Sequence, residues 1–320
     1  MHVNRTYIII IFFTFIFSSQ TEFEKISFKS ADPFSFRDVI LYLEDQTERD
    51  VVGILRFPDD KSKDKYPLII GVAGSLGWGE HHHEFLSMYR DMGIATFELQ
   101  SFKSRDVTST VGTQVDVTMA MMILDSYRAL DELANHPKID KDRIAITGWS
   151  LGGGVGLFSA WKPLYDVINS KNKFAAHLPF YPPCFIEPKD LTFTDSPIHI
   201  LIGESDNWTP ADACENLVDN LKEKNNIGIT VYKNSHHSFD STKPLEKIED
   251  GYSFSDCMFK MRSDGSVLMN YLNIPMTSPF LQKIGLSFCV DRGPTIGGNA
   301  EAREKAFKFS KDFMRKYLLE

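Results

Sequence analysis

The spacing of apolar and polar positions divides the chain into a short antiparallel lead-in and a longer alternation of strands and helices. DVILYLE and VVGILRF, between Phe36 and Phe57, flank the polar stretch EDQTERD, which predicts a hairpin. PLIIGVAG (67–74) and GIATFEL (93–99) are almost continuously apolar, as in strands buried on both faces, with a helix predicted between them. From Thr113 to Asn135, Val115, Met119, Met122, Ile123, Leu130 and Leu133 fall on one helical face, and Pro137 follows as a stop. RIAITGW (143–149), KFAAHLPFY (173–181), SPIHILIG (196–203) and GITVYK read as further strands. Helices are predicted over 211–224 and 300–318, the second with a stripe of Ala302, Ala306, Phe309, Phe313 and Tyr317. Repeated strand-helix-strand units require a mainly parallel central sheet flanked by helices, an α/β fold. The stretch 241–298 has no clear period and predicts an inserted excursion over the sheet edge, of a length that is usually functional or disordered.

One strand-to-helix junction carries chemistry. Gly148-Trp149-Ser150-Leu151-Gly152 is G-x-S-x-G at the end of RIAITGW, the context of a nucleophile elbow. The turn is so tight that side chains two before and two after the serine would strike neighbouring backbone, so glycine is required at both places. The Leu151 N–H at the helix start then faces the position where a carbonyl oxygen becomes an oxyanion. A serine hydroxyl needs a base, and the base an orienting carboxylate, in the order Ser, Asp or Glu, His for this architecture. Asp206 in LIGESDNWTP follows a strand at its carboxyl end, with Glu204 as rival acid; Asp206 lies further out along the loop. His236 and His237 in YKNSHHSFD are the candidate bases, and spacing leaves the choice open.

Composition narrows the partners. A formal charge of −8, with signs mixed along the chain, offers no cationic surface for nucleic acid. The substrate is expected to be a small molecule, and the oligomeric state is not readable. Arg5 precedes an apolar run from Tyr7 to Phe17, then Ser18 and Ser19, which predicts a signal peptide over 1–20 and a secreted or periplasmic protein. A run of about 11 residues is short for a stable membrane span. An uncleaved anchor is the alternative. The rest, 21–320, reads as one domain. Four cysteines, Cys184, Cys214, Cys257 and Cys289, lack C-x-x-C spacing, which speaks against zinc; in an oxidising compartment they allow two disulfides in three possible pairings.

The stretches HPKIDKDRIAITGWSLGGG, AAHLPFYPPC, LIGESDNWTPADAC and VYKNSHHSFD, with ATFELQSFKSRDV, resemble the dienelactone hydrolase family of α/β hydrolases, particularly its larger exported members. The resemblance spans roughly residues 65–240 and implies an α/β hydrolase fold. It implies His237 as the base and supports Asp206 as the acid. The chain departs from the family pattern twice: Ser150 stands where the named members use cysteine, and Ala73 stands where a histidine is expected. The Ser75 N–H can still serve as second oxyanion donor, because a main-chain group does not depend on that side chain. The same layout brings Cys184 and Cys214 to adjacent strand ends, so they are expected to pair. Cys257 with Cys289 would close a loop inside 241–298, contributing about 3 kcal/mol.

Three further readings complete the sequence. Arg105 is a candidate for an anionic substrate group, with a plain surface arginine as the alternative. Trp149 and Trp208, beside Ser150 and Asp206, are candidate apolar walls or core residues. Glu80-His81-His82-His83-Glu84 invites a metal, but adjacent helical residues fan out around the axis, so a polar rim is preferred. The combined expectation is a serine hydrolase of a carboxylic ester or lactone working through an acyl-enzyme, with no metal or organic cofactor. The alternatives are a prolyl-oligopeptidase-type peptidase and a non-catalytic binding protein on a hydrolase scaffold.

Overall fold

The computed structural model describes residues 23–270 and 272–320. The expected signal segment, 1–20, lies outside the described residues. Among the described residues no helix is long and apolar enough to cross a membrane.

Strand β1 (Phe23–Ala31) precedes helix α1 (Phe36–Tyr42), then come β2 (Glu48–Arg56), β3 (Tyr66–Val72), α2 (Glu80–Asp91), β4 (Ala95–Leu99) and α3 (Met119–Ala134). The chain continues through β5 (Ile139–Trp149), α4 (Leu151–Phe158), α5 (Lys162–Ile168), β6 (His177–Phe180), the short β7 (Ile186–Pro188), β8 (Ile198–Gly203), α6 (Ala211–Leu221) and β9 (Ile227–Tyr232). Short strands β10 (Glu246–Lys247), β11 (Tyr252–Ser253) and β12 (Phe259–Met261) follow, then α7 (Pro279–Leu286), β13 (Asp291–Arg292), β14 (Thr295–Ile296) and α8 (Ala300–Leu318). The main sheet has the order β1-β2-β4-β3-β5-β6-β8-β9. Its β1–β2 and β2–β4 pairs are antiparallel and the others parallel. Helices α1, α3, α4 and α5 pack together, and α2 packs with α8. Central β3 is buried at every residue, which is why PLIIGV needs no polar alternation.

Two expected elements are corrected. The hairpin pairs β1 with β2, and DVILYLE is largely helix α1 rather than a strand. Ser35 accepts from the Asp38 N–H while the Asp38 carboxylate accepts from the Ser35 N–H at 2.9 Å, a capping box that starts the helix. An apolar run this short does not reveal its period, so the cap decides. Helix α3 begins at Met119, six residues later than the periodicity predicts, because the Thr118 hydroxyl accepts from Met121 N–H and caps it there.

The inserted stretch also lies elsewhere than expected. It packs against the loops that follow β6 and β8 rather than over a sheet edge. Strand β12 pairs with β7, Phe259 opposite Ile186, and Phe254 stacks on Phe185 at 4.5 Å. The Phe254 N–H donates to Trp208 O at 3.2 Å. Disulfides join Cys184 to Cys214 and Cys257 to Cys289, the expected pairing. The first ties the loop after β6 to α6; the second closes the insertion on itself.

Arg105 is neither a substrate contact nor a surface residue, which corrects both readings of it. Its side chain is 4% exposed and sits against Asp125 and Asp32. Nη1 and Nη2 donate to the two Asp125 carboxylate oxygens at 2.7 and 3.1 Å, and Nε donates to Asp32 at 2.8 Å. Ser30 and Ser101 hydroxyls donate to the same Asp125 carboxylate at 2.6 and 2.7 Å. The arginine is therefore a neutralising cross-brace between β1, α3 and the turn after β4. Replacing it strands a buried carboxylate.

Arg105→Leu is accordingly expected to lower unfolding free energy by about 3–5 kcal/mol. Urea titration followed by circular dichroism checks this; a loss below about 1 kcal/mol would contradict the brace. The Cys257→Ser/Cys289→Ser double variant should lose about 2–4 kcal/mol by releasing the closed loop in the unfolded chain. Its thermal midpoint, compared with that of the disulfide-bonded parent under the same non-reducing conditions, is the check.

Candidate active site

The site is built outward from the end of β5. Ser150 takes φ 57° and ψ −114°, a conformation that non-glycine residues rarely hold. A Cβ at Gly148 would stand 2.2 Å from Gly152 O, and one at Gly152 would stand 2.2 Å from Val72 O. Both contacts are with backbone, which cannot swing aside. The turn thus lifts the Ser150 side chain clear of the sheet at the strands' carboxyl ends.

Two other loops reach the same point. His237, in the loop after β9, lies with Nε2 2.8 Å from Ser150 Oγ and Nδ1 2.7 Å from Asp206 Oδ2. Asp206 follows β8 and is 5% exposed; His237 is 2% exposed. The other Asp206 oxygen accepts the N–H groups of Trp208 and Thr209, each at 2.9 Å. Those local bonds hold the carboxylate in place and leave Oδ2 aimed at the imidazole. Glu204 accepts from the Asn234 N–H at 2.9 Å and so braces the turn before the histidines instead. Among the described residues, His236 Nδ1 is buried without a hydrogen-bond partner and only His237 is bonded to Ser150.

The backbone around Ser150 supplies donors. Leu151 opens α4, so its N–H has no intrahelical acceptor. Ser75 lies in the turn after β3 and borders two cavities that also border Ser150. Its carbonyl accepts from Thr110 N–H at 3.0 Å, which holds the turn, while among the described residues no acceptor faces its own N–H. Trp208 is near the site, its ring 5.0 Å from that of His237. Trp149 is a fully buried core residue. It stacks between His82 and Phe180, at 4.4 and 5.4 Å, and donates Nε1–H to Asp240 at 3.0 Å.

The histidine run resolves into separate contacts. His82 Nδ1 accepts from the Gly79 N–H at 3.0 Å, capping α2. Burial holds its pKa well below the usual imidazole value, so the ring stays neutral and the cap survives. His83 stacks on Trp78 at 5.4 Å, and His81 approaches Asp240 at 4.0 Å. Among the described residues, no group of three or more His, Cys, Asp or Glu is placed to hold a metal ion.

Two residues of the site escaped the sequence reading. The Thr209 hydroxyl lies within 3.2 Å of His237 Nδ1, Asp206 Oδ2 and Tyr181 O at once. A threonine three residues after the acid, ahead of a proline and a helix, is the pattern of a local side-chain turn and was its signal. Asp240 accepts from both Trp149 Nε1–H and Tyr181 Oη–H, each at 3.0 Å, and is fully buried. Tyr181 packs 4.5 Å from the His237 ring. Burial, helped by Asp240, raises its phenol well above the usual value, so it remains a donor. Asp240 closes the stretch YKNSHHSFD, but no pattern in the sequence links it to a tryptophan far upstream.

Comparison with known proteins agrees with this architecture. A dienelactone hydrolase-like promiscuous phosphotriesterase from metagenomic libraries superposes with a TM-score of 0.58 at 14% identity, covering 92% of this chain and 98% of that one. A candidate dienelactone hydrolase from Klebsiella pneumoniae subsp. pneumoniae gives 0.50 at 17% identity, over 68% of this chain and 89% of that one. A candidate dipeptidyl aminopeptidase IV from Bacteroides ovatus gives 0.51 at 15% identity, over 69% of this chain but 34% of that one. At these identities the likeness establishes the α/β hydrolase fold. No curated protein matches the chain. The model of the dienelactone hydrolase family matches residues 88–256, just over half of the 320 residues and including Ser150, Asp206 and His237. This α/β hydrolase belongs to the dienelactone hydrolase family.

Proposed function

We propose that the protein is a serine hydrolase that cleaves a carboxylic ester or lactone through an acyl-enzyme. The observation that carries this reading is the hydrogen-bonded chain from Ser150 through His237 to Asp206, at 2.8 and 2.7 Å. Ser150 Oγ attacks the carbonyl carbon as His237 Nε2 takes its proton. Asp206 holds the proton on Nδ1, keeping Nε2 free to accept, and stabilises the imidazolium that forms. The carbonyl oxygen becomes an oxyanion held by the N–H groups of Leu151 and Ser75. His237 then protonates the leaving oxygen, and a water activated by the same ring releases the acid. Thr209 steadies the Asp206–His237 pair from the side, and Trp208 and the buried Trp149 keep the site's floor apolar.

Residues 21–320 act in this reading as a single hydrolase domain, with 241–298 as its insertion. Two disulfides support a working place outside the reducing cytoplasm, in the periplasm or outside the cell, as the signal-like segment 1–20 also does.

A fluorophosphonate probe should label Ser150 in the folded protein, and peptide mass spectrometry locates the adduct. Absence of label beside a reacting control hydrolase would refute the reading. Ser150→Ala should reduce kcat for a p-nitrophenyl ester by about four decades or more. Asp206→Asn should leave the fold's melting point near that of the parent while lowering kcat by about four decades, because the amide favours the wrong imidazole tautomer. Steady-state rates on p-nitrophenyl acetate are the measurement. Turnover on aminoacyl amides but not on esters would move the assignment to a peptidase.

A further inference from the structure

Two cavities meet at the Ser150 hydroxyl, and their walls differ in kind. One encloses about 920 Å³ of empty space, its open mouth included, and borders Ser150, Ser75 and Leu151 without bordering His237. The other borders Ser150 and His237 together, with Trp78, His81, Tyr181 and Lys243 around them. Acyl transfer distinguishes the two. The leaving oxygen must receive its proton from His237 Nε2, so the departing group lies on the His237 side. The acyl group must extend the other way, into the first cavity.

Among the described residues lining that first cavity, none is Asp, Glu, Lys, Arg or His. Several of its polar groups are already committed to the protein's own structure. Ser35 donates to Asp38 at 3.0 Å, Thr118 to Pro33 O at 3.3 Å, and Gln282 Nε2 to Gln114 O at 2.7 Å. Apart from the neutral Ser75, Gln114, Ser150 and Thr209, the rest of the wall is hydrocarbon and aromatic. Its roof comes from the inserted stretch, through Phe254, Phe259, Val267, Met276 and Leu286, pinned by the β7–β12 pair and closed by Cys257–Cys289.

We infer that this cavity is the acyl site and that it takes an uncharged, hydrocarbon-rich acyl group, excluding acyl chains that carry a carboxylate. The inference rests on Ser150 as the nucleophile and assigns the substrate class of that same site. Hydrocarbon gains from leaving water for this wall, whereas a carboxylate would be desolvated with no opposite charge to meet it. The insertion's roof, together with wall residues from α1 and α3 such as Phe36, Met119 and Ala120, therefore sets which acids the enzyme releases.

The test compares two substrates of equal length and identical leaving group on the full folded chain: p-nitrophenyl octanoate and mono-p-nitrophenyl suberate. The octanoate should have a kcat/KM more than tenfold above that of the suberate. A difference of tenfold or less, or no octanoate turnover by an enzyme that a neutral fluorophosphonate labels, overturns the acyl-site assignment. Failure to label Ser150 instead removes the underlying hydrolase reading, so the two failures are distinct. Gln282→Arg places a cation in the wall from α7 and should raise the suberate-to-octanoate ratio at least tenfold. A folded Gln282→Arg variant with a smaller rise also overturns the assignment.

Discussion

The passage from β5 into α4 leaves the backbone no room for a side chain on either side of Ser150. Gly148 and Gly152 lie so close to neighbouring carbonyls that a single added carbon at either would sit 2.2 Å from an oxygen. Between them the chain reverses through Ser150 at a positive φ, and strain of this kind persists only where the surroundings over-determine it. Here they do: β5 is hydrogen-bonded to β3 and β6 on its two sides, and the Ser150 N–H donates to Phe180 O at 3.0 Å. The serine is consequently held out at the sheet's rim with no freedom to retreat, and α4 presents its first N–H beside it.

Everything else at the rim is arranged around that position. Asp206 is locked by the N–H groups of its own loop, and His237 hangs between it and the serine. The inserted stretch reaches this arrangement from behind: Gly297 N–H donates to His237 O at 2.9 Å, and just past the stretch the Asn299 N–H donates to Phe239 O at 2.9 Å. The segment that roofs the apolar cavity is thus also a backbone support for the histidine loop. The cavity's roof and the support of the imidazole share one piece of chain, so changes in the insertion are expected to reach both.

Two buried carboxylates are each met by several donors. Asp125 is surrounded by Arg105, Ser30 and Ser101, and Asp240 by Trp149 and Tyr181, with Arg303 donating to the Asp240 carbonyl. Such networks are costly when broken and neutral when complete, and they join elements far apart in sequence. Neutral His82, capping α2 while stacked on Trp149, extends the same logic to the helix after the Ser75 turn.

Local sequence by itself determined the features that depend on near neighbours. The parallel strands were legible because a strand buried on both faces must be apolar throughout, as 67–72 is. The elbow was legible because only glycine tolerates its contacts, and α8 because its stripe is long enough to show a period. The Ser, Asp, His order followed from where each residue falls after its strand, but residue spacing left His236 and His237 level; the choice at the rim came from which ring reaches Ser150. Tertiary structure alone decided the rest. It drew Arg105 inward onto two carboxylates and folded 241–298 over the serine as part of the wall of an uncharged cavity. Those outcomes depend on partners separated by tens to hundreds of residues, and pairing at that range leaves no periodic trace in the chain.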